Sequence, residues 1–203
     1  MKTILITGGA GDWASSFANK YQNEFSITTT DRRMLDVTKP DSVAEYFKDK
    51  HFDIVINNAG SIHPKTILEA DESKWINDIN VNLIGTFLVS KNALTANDKT
   101  VIINIASTAG FNAYANWSSY CSAKAGVITF SKSIAKDGFE VYCLCPGAID
   151  TKFRDGLNLS NANAMQCDDL SNYVIDIIEG KYTSGDVLFI RKNEFVLNPT
   201  NIS

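Results

Sequence analysis

The sequence predicts an α/β fold, a doubly wound parallel sheet of six to seven strands with helices on both faces. Three observations predict it. Short apolar, β-rich runs alternate with longer stretches of helical period, the pattern of a sheet layered between helices. The runs show little polar alternation, as expected of parallel strands covered on both sides. A glycine-rich turn directly follows the first run. Of the 203 residues, 44% are apolar and 21% charged, which is ordinary for a globular chain. Neither linker nor repeat divides them, so residues 1–203 are read as a single domain.

The elements follow in order. Thr3–Thr7 is the first strand, and in the helix Asp12–Gln22 the rings of Trp13, Phe17 and Tyr21 fall four residues apart. Ser26–Thr30 is the second strand. The next apolar snippet, Met34–Val37, begins about four residues later, whereas adjacent parallel strands need a crossover of roughly a dozen residues. It should therefore stay near the carboxyl edge of the sheet, as a loop or a very short edge strand. Pro40–Lys50 opens with proline in a first helical turn and repeats Val43 and Phe47. Strands at Ile54–Asn57, Val101–Ala106, Val141–Cys145 and Val187–Ile190 alternate with helices at Ser73–Ala96, Trp117–Asp137 and Asp168–Glu179. Asn158–Asn163 reads as a polar loop. The count is six main strands, with a seventh only marginal.

Charge and composition narrow the function. Lys+Arg number 19 against Asp+Glu 23, a net charge of -4. That argues against nucleic-acid binding, which relies on neutralising phosphates. No apolar run approaches the ~18 residues of a membrane span, and the first apolar stretch is too short for a secretory signal. The four cysteines are too few for a disulfide scaffold and lack Cys-x-x-Cys spacing or a nearby His, so no metal site is assigned. A reducing cytoplasm is the expected location.

Gly9-x-Gly11-x-x-Ala14 follows the first strand and opens a helix. This fits the dinucleotide fingerprint of a Rossmann-like sheet, in which glycines let a pyrophosphate approach the backbone and a helix amino terminus offers free N–H groups. Asp31 lies 20 residues after Gly11, where an acidic residue meets the adenosine ribose. A carboxylate at the start of this helix, Asp12, is suited to capping its N–H groups but would repel a pyrophosphate unless it turns away or is compensated. Tyr120 and Lys124 lie four apart, on one face of a helix. A cation near a tyrosine favours its phenolate, which suits Tyr120 to general acid–base work. Ser107, Asn57–Gly60 and Pro146–Thr151 each follow a strand, at the sheet edge where ligands bind in open α/β folds.

These residues together resemble the short-chain dehydrogenase/reductase family over essentially the whole chain. Asn57-Asn58-Ala59-Gly60 matches the family's Asn-Asn-Ala-Gly. Asn82, Ser107, Tyr120 and Lys124 match its active-site tetrad. Pro146-Gly147, with Ile149 and Thr151, looks like its nicotinamide-side segment, and Asp36-Val37 resembles its adenine-contacting Asp-Val. The resemblance implies that Tyr120 exchanges a proton with the substrate oxygen, which Ser107 positions. Lys124 would bind the nicotinamide ribose and tune Tyr120, and Asn82 would support a water relay. Gly8, Gly11, Asp12, Trp13, Asp31, Arg32, Asp36, Val37, Asn58, Ala59, Gly60, Tyr120, Lys124, Pro146, Gly147, Ile149 and Thr151 would hold the cofactor. The chain departs from the family where Asp12 and Ala14 replace glycines, where no helix directly follows the second strand, and in a short Phe153–Met165 segment.

The resulting reading is a nicotinamide-dependent oxidoreductase that interconverts a small-molecule alcohol and a carbonyl. The alternative is a dinucleotide-binding regulator or scaffold with little turnover. Asp31 would face the ribose and repel a 2′-phosphate, so NAD is expected over NADP, although Arg32 and Arg33 pull the other way. The apolar Trp75, Ile79, Leu83, Phe87 and Leu94 on Ser73–Ala96 suggest a homodimer or homotetramer. His51 and His63 are read as solvated or locally bonded, and Asp168 and Asp169 as helix caps. Phe111, Tyr114, Trp117 and Phe153 are read either as packing or as a pocket lining.

Overall fold

The computed structural model describes residues 1–154, 157 and 162–200. It contains one seven-stranded sheet in the order β2-β1-β3-β4-β5-β6-β7. Strands β1 (Thr3–Thr7), β2 (Ser26–Thr30), β3 (Ile54–Asn57), β4 (Val101–Ile105), β5 (Val141–Pro146) and β6 (Val187–Arg191) are parallel. Helices α1 (Asp12–Tyr21), α2 (Pro40–Phe47), α3 (Glu72–Ile79), α4 (Gly85–Ala96), α5 (Ser118–Lys136) and α6 (Cys167–Ile178) cover both faces. The two faces explain the unbroken apolar runs. Ile4 and Ile6 point to the layer of α1 and α6, with Phe17, Leu170 and Val174. Leu5, between them, points to the opposite layer, with Val43, Val55 and Val89. Burying each such side chain contributes roughly 1.5–3 kcal/mol.

The chain reverses direction across the sheet at β1, which pairs with β2 on one side and β3 on the other. A crevice opens at the carboxyl ends of strands around such a reversal. Thr7-Gly8 and Asn58–Gly60 sit at this crevice.

Of the two forms the sequence allowed for Met34–Val37, loop or short edge strand, the loop is the one found. That snippet is a turn, with Met34 N and Leu35 N donating to Asp31 O at 3.2 and 3.0 Å. Leu35 and Val37 are buried under α2 and α4, so their apolar character serves packing. Two elements differ from the sequence reading. The seventh strand is β7 (Glu194–Leu197), antiparallel to β6 with Arg191 opposite Glu194. The helix expected over Ser73–Ala96 is interrupted by a π-helical turn at Asn80–Ile84, and such turns often sit at functional sites. Residues 158–161 of the expected polar loop, and part of the Phe153–Met165 segment, lie outside the described residues.

Candidate active site

The glycine turn is held by close approach. Gly8 has φ +67, and a Cβ there would meet the Ala59 Cα at 2.8 Å. Asn58 N and Ala59 N both donate to Thr7 Oγ1 at 3.1 Å, and Asn58 Nδ2 donates to Thr7 O at 3.0 Å. The end of β3 thus clamps the end of β1. Ala59 acts through this packing against Gly8. The amino terminus of α1 has Gly11 at its cap and no side-chain cap, so its first N–H groups and positive dipole end are available to an anion. A Cβ at Gly11 would meet only Gly8 O, at 3.3 Å, leaving that side open.

The Asp12 carboxylate is compensated by Lys152. Its Oδ2 accepts from Lys152 N at 2.6 Å and its Oδ1 lies 4.0 Å from Lys152 Nζ. The carboxylate therefore ties α1 to the segment after β5. Trp13 is 4% exposed and its Nε1 donates to Ser171 Oγ at 3.2 Å. Its indole belongs to the α1–α6 packing, which leaves its backbone to face the cavity.

A cavity of about 520 Å³ runs from this turn along the carboxyl edge of the sheet. Gly8, Gly11, Asp12, Trp13, Asn58, Gly60, Ser107, Tyr120, Lys124, Pro146, Gly147, Ile149 and Thr151 line it. Thirteen widely spaced sequence candidates therefore share one space. The segment after β5 is pinned from outside, since Met165 N donates to Ala148 O at 2.8 Å and Asp150 N donates to Met165 O at 2.9 Å.

Tyr120 rises from the first turns of α5, which starts just beyond Asn116. Asn116 has φ +67, a left-handed conformation that asparagine tolerates. Ser107 follows β4; its Oγ accepts from Ala109 N at 3.1 Å and donates to Pro146 O at 3.4 Å. Burial pushes the Tyr120 hydroxyl up to about 12, and a hydrogen bond with Ser107 opposes that rise. Lys124 is 4% exposed, and its Nζ donates to Ile105 O at 2.8 Å. Burial lowers its ammonium to about 8. The Nζ lies 5.5 Å from the Tyr120 ring centroid. The rise on Tyr120 comes from burial, with Cys121 and Asp78 adding to it. Desolvation dominates and disfavours the phenolate.

Asn82 lies behind the cavity wall, in the π-helical turn. It is fully buried, and its Nδ2 donates to Ser61 O at 2.7 Å and Asp78 O at 2.8 Å. Its Oδ1 has no hydrogen-bond partner. Asp78 is the residue that sequence reasoning missed. At 0% exposure it accepts hydrogen bonds from Ser61, Ser119 and the His63 backbone, and its Oδ1 lies 2.8 Å from His63 Nδ1. His63 is therefore locally bonded, to a carboxylate fifteen residues away.

The adenosine-side candidates gather at the end of β2, beyond the cavity lining. Asp31 Oδ1 accepts from Arg33 N and Met34 N at 2.9 and 3.1 Å, and its Oδ2 pairs with Arg33 at 2.7 Å. The Arg33 guanidinium holds the Asp31 carboxyl below its usual range. Arg32 Nε donates to Asp36 Oδ2 at 3.2 Å, and Thr38 donates to Asp36 Oδ1. Val37 packs at Gly85, where a Cβ would come within 2.8 Å of it.

Four rings, Tyr120 among them, pack in series beside the cavity. Tyr114 and Trp117 are 5.2 Å apart, Trp117 and Tyr120 5.9 Å, and Tyr120 and Phe153 6.3 Å, centroid to centroid. Tyr114, Trp117 and Phe153 line the cavity. Phe111 instead packs edge-on against Phe189 at 5.8 Å.

Known proteins share this organisation. The short chain dehydrogenase family profile matches residues 4–162. The chain is 27% identical to a 3-oxoacyl-[acyl-carrier-protein] reductase from Aquifex aeolicus, covering 95% of this chain and 87% of that protein. It is 38% identical to dehydrogenase/reductase SDR family member 6 of Danio rerio, over 59% of this chain and 52% of the relative. Two solved structures share the fold. One is 4-hydroxyisoleucine dehydrogenase complexed with NADH, with a TM-score of 0.83 at 20% identity and 94% and 96% of the two chains covered. The other is ElxO with NADP bound, at 0.80 and 24% identity over 94% and 97%. A profile match over most of the chain, on a seven-stranded sheet of the same fold, places this protein in the short-chain dehydrogenase/reductase family of oxidoreductases.

Proposed function

We propose that the protein interconverts a secondary alcohol and a carbonyl on a small molecule, with a nicotinamide dinucleotide as redox partner and Tyr120 as general acid and base. The observation that carries this reading is the shared cavity, with Ser107, Tyr120 and Lys124 on one wall and the open glycine turn at one end. The residues fit a dinucleotide. The α1 amino terminus is uncapped, and Gly11 leaves room for backbone approach. When bound, the nicotinamide accepts or supplies the hydride.

The chain's own residues do the rest. The Ser107 hydroxyl hydrogen-bonds the substrate oxygen. Tyr120, whose ionisation burial disfavours, donates its phenolic proton to that oxygen in reduction and takes one back in oxidation. The Lys124 ammonium, fixed by Ile105 O, holds ribose hydroxyls and offsets charge on Tyr120 when its proton leaves. The rings of Tyr114, Trp117 and Phe153 offer the substrate an apolar surface. Gly8, Gly11 and the α1 terminus hold the pyrophosphate, Asn58–Gly60 shapes the cradle, and Pro146–Thr151 flanks the nicotinamide.

NAD is favoured over NADP because Asp31 ends β2 with a carboxylate, which would repel a 2′-phosphate. The chain assembles as a homo-oligomer through the α3–α4 face, where Ile76, Ile84 and Phe87 are 53%, 40% and 41% exposed. A screen of alcohols and ketones that follows nicotinamide absorbance tests the function. Turnover of at least one compound class supports it. Tight dinucleotide binding without turnover of any would favour a regulator instead.

A further inference from the structure

We propose that Asp78 is a positioning residue of this site, clamping the Tyr120 turn of α5 to the loop after β3 and fixing His63 with its proton on Nδ1. The inference rests on the reading of Tyr120 given above. Its geometry is independent of that reading.

Asp78 sits on α3 with no solvent exposure, and a buried carboxylate is retained only when its oxygens are satisfied. Its Oδ2 accepts from Ser119 Oγ at 2.7 Å and from His63 N at 3.0 Å. Its Oδ1 accepts from Ser61 Oγ at 2.8 Å and lies 2.8 Å from His63 Nδ1. Ser119 immediately precedes Tyr120. Ser61 also offers its carbonyl to Asn82 Nδ2, and so does Asp78 itself. One side chain thus links the β3 loop, the π-helical turn and the start of α5, three segments that carry or support the reacting groups.

A carboxylate only accepts, so His63 Nδ1 must carry the proton that faces it. Nε2 is then the free ring nitrogen on a side chain 39% exposed to solvent. A carboxylate that sets the tautomer of a histidine in this way makes the other nitrogen the basic one. The titratable groups facing Asp78 are His63 from the β3 loop and Tyr120 from α5. Lys124, one turn further along α5, faces the Tyr120 ring. The negative charge of Asp78 opposes ionisation of Tyr120. The residue therefore acts on the reaction through both placement and field.

Two measurements test this. The chain has two histidines, so long-range nitrogen–proton correlation spectra of the wild-type protein, assigned with His51→Gln, read the His63 tautomer without any turnover. The Nδ1–H form is expected in neutral His63, and the Nε2–H form would overturn the proposal. The second is kinetic. Asp78→Asn keeps the shape and removes the charge, so the limb of the kcat/KM profile set by Tyr120 should move to lower pH. Asp78→Ala breaks the clamp and should lower kcat roughly tenfold or more, with the KM for dinucleotide changed less than about twofold, since misplacement costs rate before binding. If Asp78→Ala fails to fold, Ser119→Ala removes one strand of the clamp and carries the same kcat-against-KM comparison. Wild-type pH profiles and kcat in these variants would refute the positioning role. Absence of turnover in the wild type would instead refute the proposed function, while the tautomer still decides the clamp.

Discussion

Replacing Lys124 by methionine should stabilise the protein while impairing it. The ammonium is buried, with one hydrogen bond to Ile105 O, and desolvation brings its pKa from 10.5 to about 8. That depression corresponds to about 3 kcal/mol. For a lysine the sign is unfavourable. At pH 7 the folded state must keep a buried charge that the unfolded chain holds in water. Between pH 8 and 10.5 the unfolded state binds more protons than the folded one, so wild-type stability from this group rises with pH. Lys124→Met removes the charge with little change in length, but leaves the Ile105 carbonyl short of a donor, a loss of about 1–2 kcal/mol. The net gain at pH 7 is about 1–2 kcal/mol, or roughly 2–8 °C in Tm for a chain of this size. Thermal unfolding at pH 7 and at pH 10 gives the comparison. The gain should shrink at the higher pH, where wild-type Lys124 is mostly neutral. A lower Tm for the variant at pH 7, or a gain that grows with pH, would refute the reasoning.

Other perturbations follow from the same geometry. Asp31→Ala removes the carboxylate and frees Arg33 from its 2.7 Å pair, so titration should show the NAD preference narrowing or reversing toward NADP. Asp12→Asn keeps an acceptor for Lys152 N and drops a charge near the cradle. Dinucleotide binding should tighten roughly two- to fivefold, the effect of about 0.3–1 kcal/mol at a helix terminus; unchanged or weaker binding would count against it. Phe87→Glu, on the exposed α4 face beside Phe130, should reduce the mass found by light scattering to that of a monomer. A monomeric wild-type protein at micromolar concentration would contradict the assembly.

The sheet was legible because β1, β3, β4, β5 and β6 are buried on both faces and so carry apolar runs, while β2 showed itself by its β-branched Ile-Thr-Thr-Thr letters. β7 was not. Its four residues are all exposed, and they pair only because Lys192-Asn193 reverses the chain beside β6. Asn198 then anchors the strand's end, with its Oδ1 accepting from Val187 N at 2.9 Å. Met34–Val37 stayed open between loop and short strand, since burial of Leu35 and Val37 beneath a turn produces the same apolar letters as a short strand. The cavity-lining motifs were legible because spacing and strand ends bring them to one edge. Their electrostatics were not, as the Tyr120–Lys124 spacing carries no information about desolvation. Asp78 escaped notice for a related reason. An aspartate in a helical stretch reads as solvated, and only the tertiary fold brings the loop of Ser61 and His63 and the start of α5 against it.

The central claim is that Tyr120 moves the proton in a hydride-transfer reaction. It is tested most directly by comparing wild-type and Tyr120→Phe turnover of the best alcohol or ketone substrate, followed by nicotinamide absorbance, with dinucleotide affinity measured on both proteins. The phenylalanine keeps the ring against Trp117 and Phe153 and removes only the hydroxyl. The account predicts turnover lower by about 100-fold or more with dinucleotide affinity nearly unchanged. Near-normal turnover in the variant would contradict it.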